Sequence, residues 1–295
     1  MDRNGLNGVV IRATSGFYYV QNGSHVIACK LRGRMKQNRY SVCVGDRVQY
    51  VPTGEAVGAI ELVLPRESFL KRPEVANVNQ AILTFSASHP QIDFGLVDRF
   101  LVLAELSDIP AILCINKIDM ANPDDLQPML ELYRQIGYPV LLVSAKTGMG
   151  MLELQKALYD KVSVFAGPSG VGKSSLLNTI EPGLRLTTGE LSQKIGRGKH
   201  TTRVAELLPL SGGGFVVDTP GFSFTEFIEM NPEDLRFQYR EFRDKLQECH
   251  FSSCIHQKEP QCAVKNAVNA GLIAASRYQS YSELLQEIQQ TKRRF

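Results

Sequence analysis

No stretch of this 295-residue sequence stays apolar for the ~20 residues that a bilayer-spanning helix needs. The longest contender, Phe100 to Ile115, is broken by Glu105, Ser107, Asp108 and Pro110. A secretory leader is missing too, since Met1-Asp2-Arg3-Asn4-Gly5 is polar where a basic segment followed by an apolar one would be required. There is no internal repeat and no low-complexity tract. The net charge is only +3, from 33 basic and 30 acidic residues, and that is too little to argue for a partner by itself. These absences predict a soluble, cytoplasmic protein with no membrane partner. Cysteine is scarce and unevenly placed. Cys29, Cys43 and Cys114 are scattered among apolar residues and read as small core or surface side chains, whereas Cys249, Cys254 and Cys262 fall close together. An apolar share of 43% with 21% charged residues is ordinary for a globular chain, and the length suits two domains and a small appendage.

The most informative stretch that is present is Gly167-Pro168-Ser169-Gly170-Val171-Gly172-Lys173-Ser174. It follows the apolar run Val162 to Ala166 and leads into Ser175-Leu176-Leu177-Asn178, giving strand, glycine-rich loop and helix start with the G-x-x-x-x-G-K-S spacing of a phosphate-binding loop. Glycines let backbone N–H groups curl around phosphates, and the helix N-terminus adds partial positive charge. Lys173 can reach the outer phosphates, and the Ser174 hydroxyl can face Mg²⁺. The segment Gly167 to Ser175 is therefore expected to hold a nucleoside triphosphate.

Taken in order, residues 1–66 carry β-branched and aromatic runs at Gly8 to Arg12, Phe17 to Val20, His25 to Cys29 and Asp46 to Val51. Ser15-Gly16, Asn22-Gly23 and Thr53-Gly54 punctuate them. About five strands in this length predict a small closed barrel of the OB-fold kind. Leu64 to Pro73 reads as a linker. From Val78 the pattern changes to apolar strands alternating with amphipathic helices, which predicts an α/β domain with a mostly parallel sheet and ligands at the strand carboxyl ends. Glu181 to Arg203, poor in apolar residues, reads as a long mobile loop. Val204 to Leu210 and Phe215 to Val217 read as an antiparallel pair, and the chain beyond residue 232 reads as helical.

Asn116-Lys117-Ile118-Asp119 stands at the end of the strand Ala111 to Ile115. A carboxylate there can accept from both N1–H and the exocyclic amine of guanine, whereas adenine offers no such donor pair and would leave a buried Asp119 unpaired. A mismatch of that kind discriminates by ~10⁴ or more. Asn116 can bond the base or neighbouring loops, Lys117 can lie over the ring, and Ser144-Ala145-Lys146 after the next strand offers a backbone N–H to the guanine O6. These motifs together predict GTP. Asp218-Thr219-Pro220-Gly221 closes the strand Phe215 to Val217, with Asp218 placed to hold Mg²⁺ through water and Gly221 to donate to the γ-phosphate. Of Thr201 and Thr202, one is expected to complete the Mg²⁺ shell. Ras-type GTPases run from phosphate loop to switch threonine, DxxG, NKxD and SAK. Here NKxD and SAK come first, so the order is circularly permuted, and the DxxG segment leads directly into the C-terminal region.

On these motifs the chain resembles the circularly permuted GTPases, and within them the ribosome small subunit-dependent GTPase A family, along its whole length. The resemblance implies an α/β fold in three parts: an N-terminal OB-fold β-barrel over 1–66, a circularly permuted P-loop GTPase domain over 67–230, and a C-terminal helical zinc-binding domain over 231–295. It also implies a GTPase that assists late maturation of the 30S ribosomal subunit, stimulated by that particle and bound to its 16S rRNA.

Four further expectations come from single residues. Phe222 occupies the place where Ras-like proteins put a water-orienting glutamine, and it can neither donate nor accept. Unassisted hydrolysis should therefore be slow, and His200 is the candidate to orient the water. The catalytic set is then His200, Lys173, Thr201, Thr202 and Gly221, with Ser174, Thr201, Thr202 and Asp218 around Mg²⁺. Cys249, Cys254, His256 and Cys262 supply three thiolates and an imidazole, a full tetrahedral set for one structural Zn²⁺. His250 is a poorer ligand because it adjoins Cys249. Basic residues cluster at Lys30 to Arg39, Lys194 to Arg203 and Lys292 to Arg294, as several footprints on RNA would. The competing reading is a GTP-gated rRNA-binding module whose hydrolysis is incidental. A small-molecule kinase is disfavoured by Asp119 and by the lack of a lid-like arginine cluster. Nothing in the sequence demands more than a monomer.

Overall fold

Five strands with alternating burial form the N-terminal barrel of the computed structural model, which describes residues 5–33, 41–71, 73–184, 205–218, 227 and 230–293. They are β1 (Leu6–Thr14), β2 (Phe17–Asn22), β3 (His25–Leu31), β4 (Arg47–Pro52) and β5 (Val57–Val63). The order β1-β2-β3-β5-β4 closes on itself because β4 also pairs with β1. Only the β3–β5 pair is parallel within this barrel. Val10, Val20, Cys29, Val48, Tyr50 and Ile60 fill the interior. This closed five-stranded arrangement is the OB-type barrel that the sequence predicts.

The expected linker is instead folded. Strands β6 (Phe69–Lys71) and β7 (Glu74–Ala76) make a hairpin that the barrel docks on through a bridge between Val44 and Val75. The physical reason lies in buried polar groups that need partners. Asp46 is fully buried, and the Arg66 guanidinium donates to both of its oxygens at 2.7 and 2.9 Å. Asn77, buried beside it, donates to the Gly45 carbonyl at 2.9 Å.

The central domain alternates β8 (Gln80–Ser86), α1 (Phe94–Leu106), β9 (Ala111–Asn116), α2 (Pro123–Ile136), β10 (Val140–Leu142), α3 (Met151–Leu158), β11 (Val162–Ala166) and α4 (Lys173–Ile180). Then follow β12 (Glu206–Pro209) and β13 (Phe215–Asp218). The sheet order is β10-β9-β8-β11-β13-β12, parallel except for β12. Strand period decides which helices cover which face. Ala81, Leu83, Phe85, Leu113, Ile115, Val164 and Val217 share a core with α1 and α2. Their neighbours Ile82, Cys114, Phe165 and Val216 face α3 and α4. Local chemistry starts the helices: the Asp93 carboxylate accepts from Leu96 N, and Asn122 caps α2 ahead of Pro123.

The C-terminal part comprises a 3₁₀ segment (Pro232–Gln238), α5 (Arg240–Leu246), α6 (Ala263–Asn269) and α7 (Ala275–Arg293). Tyr281, Leu284, Leu285 and Ile288 of α7 join the core that includes α1. Each such burial is worth about 1.5–3 kcal/mol. Across this contact Arg277, 1% exposed, donates to Asp98 of α1 and to Glu241 of α5.

Candidate functional site

The strand order reverses between β8 and β11, and the crevice at their carboxyl ends is where open α/β sheets take ligands. The loop after β11 runs from Gly167 to Gly172. Gly167, at φ +139°, passes so close to β8 that a Cβ would lie 2.0 Å from the Thr84 carbonyl oxygen. Gly172, at φ +95°, leaves 2.4 Å to the Asn116 side-chain amide. No side chain fits at either position, so the phosphate loop is set by contact with β8 and with the guanine motif. Lys173, the first residue of α4, folds its ammonium onto the Gly167 and Pro168 carbonyls at 2.7 and 2.8 Å. Burial pulls its pKa below the usual lysine value.

A cavity of about 340 Å³ adjoins this loop, lined by Asn116, Lys117, Asp119, Ser144, Ala145, Lys146, Gly172 and Ser175 together with Met120 and Thr179. Three separate motifs thus converge on one space. Asn116, 2% exposed, binds no free edge of that space. Its amide donates to the Val171 carbonyl at 2.9 Å and accepts from Ala145 N at 3.3 Å, so it clamps the phosphate loop to the Ser144 loop. Lys117 leaves β9 with a left-handed backbone (φ 62°) and donates to the Gly170 carbonyl at 2.7 Å and to the His89 carbonyl. Ser144 is fully buried and donates to the Asp119 carboxylate at 2.7 Å, fixing its direction. Asp119 lines the cavity and is exposed there. Exclusion of water from its oxygens must come from the base that covers them. Met120 and Thr179 were not singled out from the sequence. Met120 adjoins Asp119 and could have been included on that ground, while Thr179 carries no pattern that would have marked it.

His200, Thr201, Thr202, Gly221 and Phe222 lie outside the described residues, and Asp218 is described through its backbone alone, at the end of β13. The Ser174 hydroxyl forms no hydrogen bond among the described residues.

In the C-terminal part, Cys249, Cys254, His256 and Cys262 bring their ligand atoms within 4.8 Å of one another. The His256 Nδ1 stands 3.7, 3.3 and 3.3 Å from the Cys249, Cys254 and Cys262 sulfurs. Metal–ligand bonds of about 2.1 Å to nitrogen and about 2.3 Å to sulfur, at tetrahedral angles, separate ligand atoms by roughly 3.6 Å. The cluster is compatible with Zn²⁺. His250 is not part of it; its ring lies against Phe251. Hydrogen bonds orient the surrounding backbone: Tyr278 and Tyr281 hydroxyls donate to the His256 and Ile255 carbonyls, and Arg236 donates to those of Ser252 and Cys254. Without a metal, burial pushes the Cys254 thiol up to about 12 and the His256 imidazole down to about 4.

The basic clusters are only partly described. Arg34, Lys36, Arg39, the Lys194 to Arg203 run and Arg294 lie outside the described residues. Two expected RNA contacts are engaged internally: Lys30 lies over the Phe17 ring at 4.6 Å, and Arg32 pairs with Glu61.

A family model described as RsgA GTPase matches residues 63–228, and one described as RsgA N-terminal domain matches residues 7–60. The chain is 46% identical to a small ribosomal subunit biogenesis GTPase RsgA of Caldanaerobacter subterraneus subsp. tengcongensis, covering 98% of each chain. It is 45% identical to the protein of the same name from Bacillus subtilis, over 98% of this chain and 99% of that one. Among solved structures it is similar to YjeQ from Thermotoga maritima, with a TM-score of 0.84 and 43% identity over 96% of this chain and 98% of that one. YloQ, described as a circularly permuted GTPase, also gives 0.84, at 40% identity over 98% and 97%.

Proposed function

Since the chain belongs to the RsgA GTPase family, and so is a GTP hydrolase of small-ribosomal-subunit biogenesis, we propose how its own residues serve that task. Asp119, oriented by Ser144, reads the two donors of guanine, and Ala145 and Lys146 close the other side of the base. Backbone N–H groups of Ser169 to Ser175 receive the phosphates. The Lys173 ammonium exchanges its two loop carbonyls for phosphate oxygens. The observation that carries this reading is the convergence of Asn116, Ser144 and Gly172 around one cavity, joined by buried hydrogen bonds.

The Ser174 hydroxyl, Asp218 through water, and one of Thr201 and Thr202 would hold Mg²⁺, which would supply positive charge beside the phosphates. Gly221 donates to the γ-phosphate. Phe222 cannot orient a water, and His200 takes that part. Turnover is therefore slow in the free protein and rises with the 30S particle. The Cys249–Cys254–His256–Cys262 set would hold one structural Zn²⁺, and four protein ligands would leave it no catalytic position. The 16S rRNA is contacted by the barrel and by basic residues of the 194–203 run, through phosphates, so binding falls steeply with salt. The protein acts as a cytoplasmic monomer; among the described residues no helix is long and apolar enough to cross a membrane.

The test is GTP turnover with and without purified 30S particles, for the natural chain and for His200→Ala. Stimulation should be lost in the variant while GTP affinity stays. Equal stimulation of both chains refutes the role of His200, and no stimulation of either refutes the particle-dependent reading.

A further inference from the structure

The turn after β8 belongs to none of the nucleotide motifs, yet it touches both the phosphate loop and the guanine loop. β8 and β11 flank the point where strand order reverses, so the turn Ser86-Ala87-Ser88-His89-Pro90 enters the same crevice as the phosphate loop. Ser86 is 1% exposed. Its hydroxyl donates to the His89 carbonyl at 3.1 Å and accepts from Ser88 N at 3.2 Å, closing the turn on itself. Ala87 N donates to the Asn116 carbonyl at 2.8 Å, which fastens the turn to the first residue of the guanine motif. The His89 carbonyl held in this way accepts from the Lys117 ammonium, whose other acceptor is the Gly170 carbonyl. Pro90 stands on the far side of Gly170, its Cδ 3.7 Å from where a Cβ would lie.

We propose that Ser86 is a positioning residue for the guanine nucleotide: by closing the β8 turn it presents the His89 carbonyl that pins Lys117 in the wall of the base cavity. A lysine side chain is a flexible stem ending in a point charge. One carbonyl leaves it free to swing, whereas two carbonyls from two loops fix its line. Lys117 then spans from the β8 turn to the phosphate loop, and its stem forms one wall of the cavity. The proposal rests on the nucleotide reading given above.

The experiment measures release of a fluorescent GDP analogue from the full chain, from Ser86→Ala, from Lys117→Ala and from the double variant, with thermal melting alongside. Loss of one positioning hydrogen bond should speed release about five- to tenfold in Ser86→Ala. If Ser86 acts through Lys117, the same change on the Lys117→Ala background adds less than about twofold. Full additivity would mean that the hydroxyl merely serves the fold, and it overturns the proposal, as does unchanged release from Ser86→Ala. Ser86→Cys fills the same space with a weaker donor. It should release at an intermediate rate, and a wild-type rate from it overturns the proposal even if Ser86→Ala does not fold. A natural chain that holds no GDP refutes the nucleotide reading itself, before any variant is compared.

Discussion

Replacing Arg277 by methionine tests how the C-terminal part is held to the GTPase domain. The guanidinium is 1% exposed, donates to Asp98 on α1, and holds Glu241 on α5 at 2.6 and 3.3 Å. It also lies over the rings of Tyr239 and Tyr133 at 4.6 and 5.6 Å. Methionine keeps most of the stem volume but leaves the buried Asp98 carboxylate with only the neutral donors Tyr133, at 2.7 Å, and Ser280. Removing one side of a buried ion pair costs about 3–5 kcal/mol. At the lower figure, and about 1.4 kcal/mol per factor of ten, the helix should open roughly 10²-fold more often. Hydrogen exchange of the Tyr281 to Ile288 amides reports that opening directly.

The defect should also depend on pH. Burial already raises the Asp98 pKa, with Arg277 opposing, and loss of Arg277 removes the opposition. Between its unfolded and folded pKa values the native state then binds more protons than the open one, so stability falls as pH rises. Protection factors should recover as the variant is taken from pH 7.5 to pH 5.5. Replacing Asp98 by leucine in the same chain should restore most of the protection, because a buried pair replaced by apolar groups is often neutral. A loss of protection below threefold, or a defect that is flat in pH and untouched by the second change, would refute the reasoning.

Asn116→Ala removes two buried hydrogen bonds between the phosphate loop and the guanine loops. At ~1 kcal/mol each, GDP affinity should fall about 30-fold by calorimetric titration, and unchanged affinity would mean that the clamp is idle. Lys173 has its pKa lowered by burial, and phosphates favour its charged form. Binding of GTP at alkaline pH should therefore take up protons, visible as an enthalpy that varies with the ionisation heat of the buffer; a buffer-independent enthalpy contradicts it. Metal analysis should find one Zn²⁺ in the natural chain and none in Cys254→Ala, whose α5 and α6 should lose exchange protection with GDP still bound. Full zinc content in that variant would place the metal elsewhere.

The sequence announced the GTPase domain because its chemistry sits in contiguous motifs at strand ends. β11 with Gly167 to Ser174, and β9 with Asn116 to Asp119, are each readable from a dozen residues. The barrel was legible for a different reason, namely period-2 runs separated by Asn22-Gly23 and Ser15-Gly16. The hairpin β6–β7 was not. Its strands are three residues each, next to Pro65 and Pro73, and what makes them a structure is the distant Asp46, which needs Arg66. The discrimination argument needs Asp119 covered once the base is bound, and what covers it is not encoded in any local pattern. Ser86 and Thr179 were invisible for the same reason: single serines and threonines acquire a role only through the loops folded against them.

Permutation of the strand order gives β8 an unusual position, and the placement of the two outer parts follows from it. β8 is buried along its whole length, Gln80 to Ser86, and lies between β9 and β11. It is also the first strand of the parallel sheet in the chain. The barrel therefore reaches the domain at the β8 N-terminus, through the Asp46–Arg66 and Gly45–Asn77 contacts that immediately precede the strand. At the other end, the Ser86 turn enters the nucleotide crevice and passes into α1, whose Asp98 receives Arg277 of the C-terminal part. Among the described residues the barrel also meets the sheet through a bridge between Arg12 and Glu206, half-buried residues whose charges stand 3.8 Å apart, and through Ile11, which joins the central core. An ion pair of that kind is worth about 0–1 kcal/mol. One attachment of the barrel thus lies ahead of β8, and the C-terminal part is held by the helix that follows it, with the nucleotide crevice between them at the carboxyl end of β8. A change at that end meets α1 within eight residues but must cross the whole of β8 to reach the barrel hairpin. Along the chain the C-terminal part's anchoring helix lies nearer the nucleotide crevice than the barrel hairpin does, and the Arg277 variant and the Ser86 cycle test the two successive links of that path.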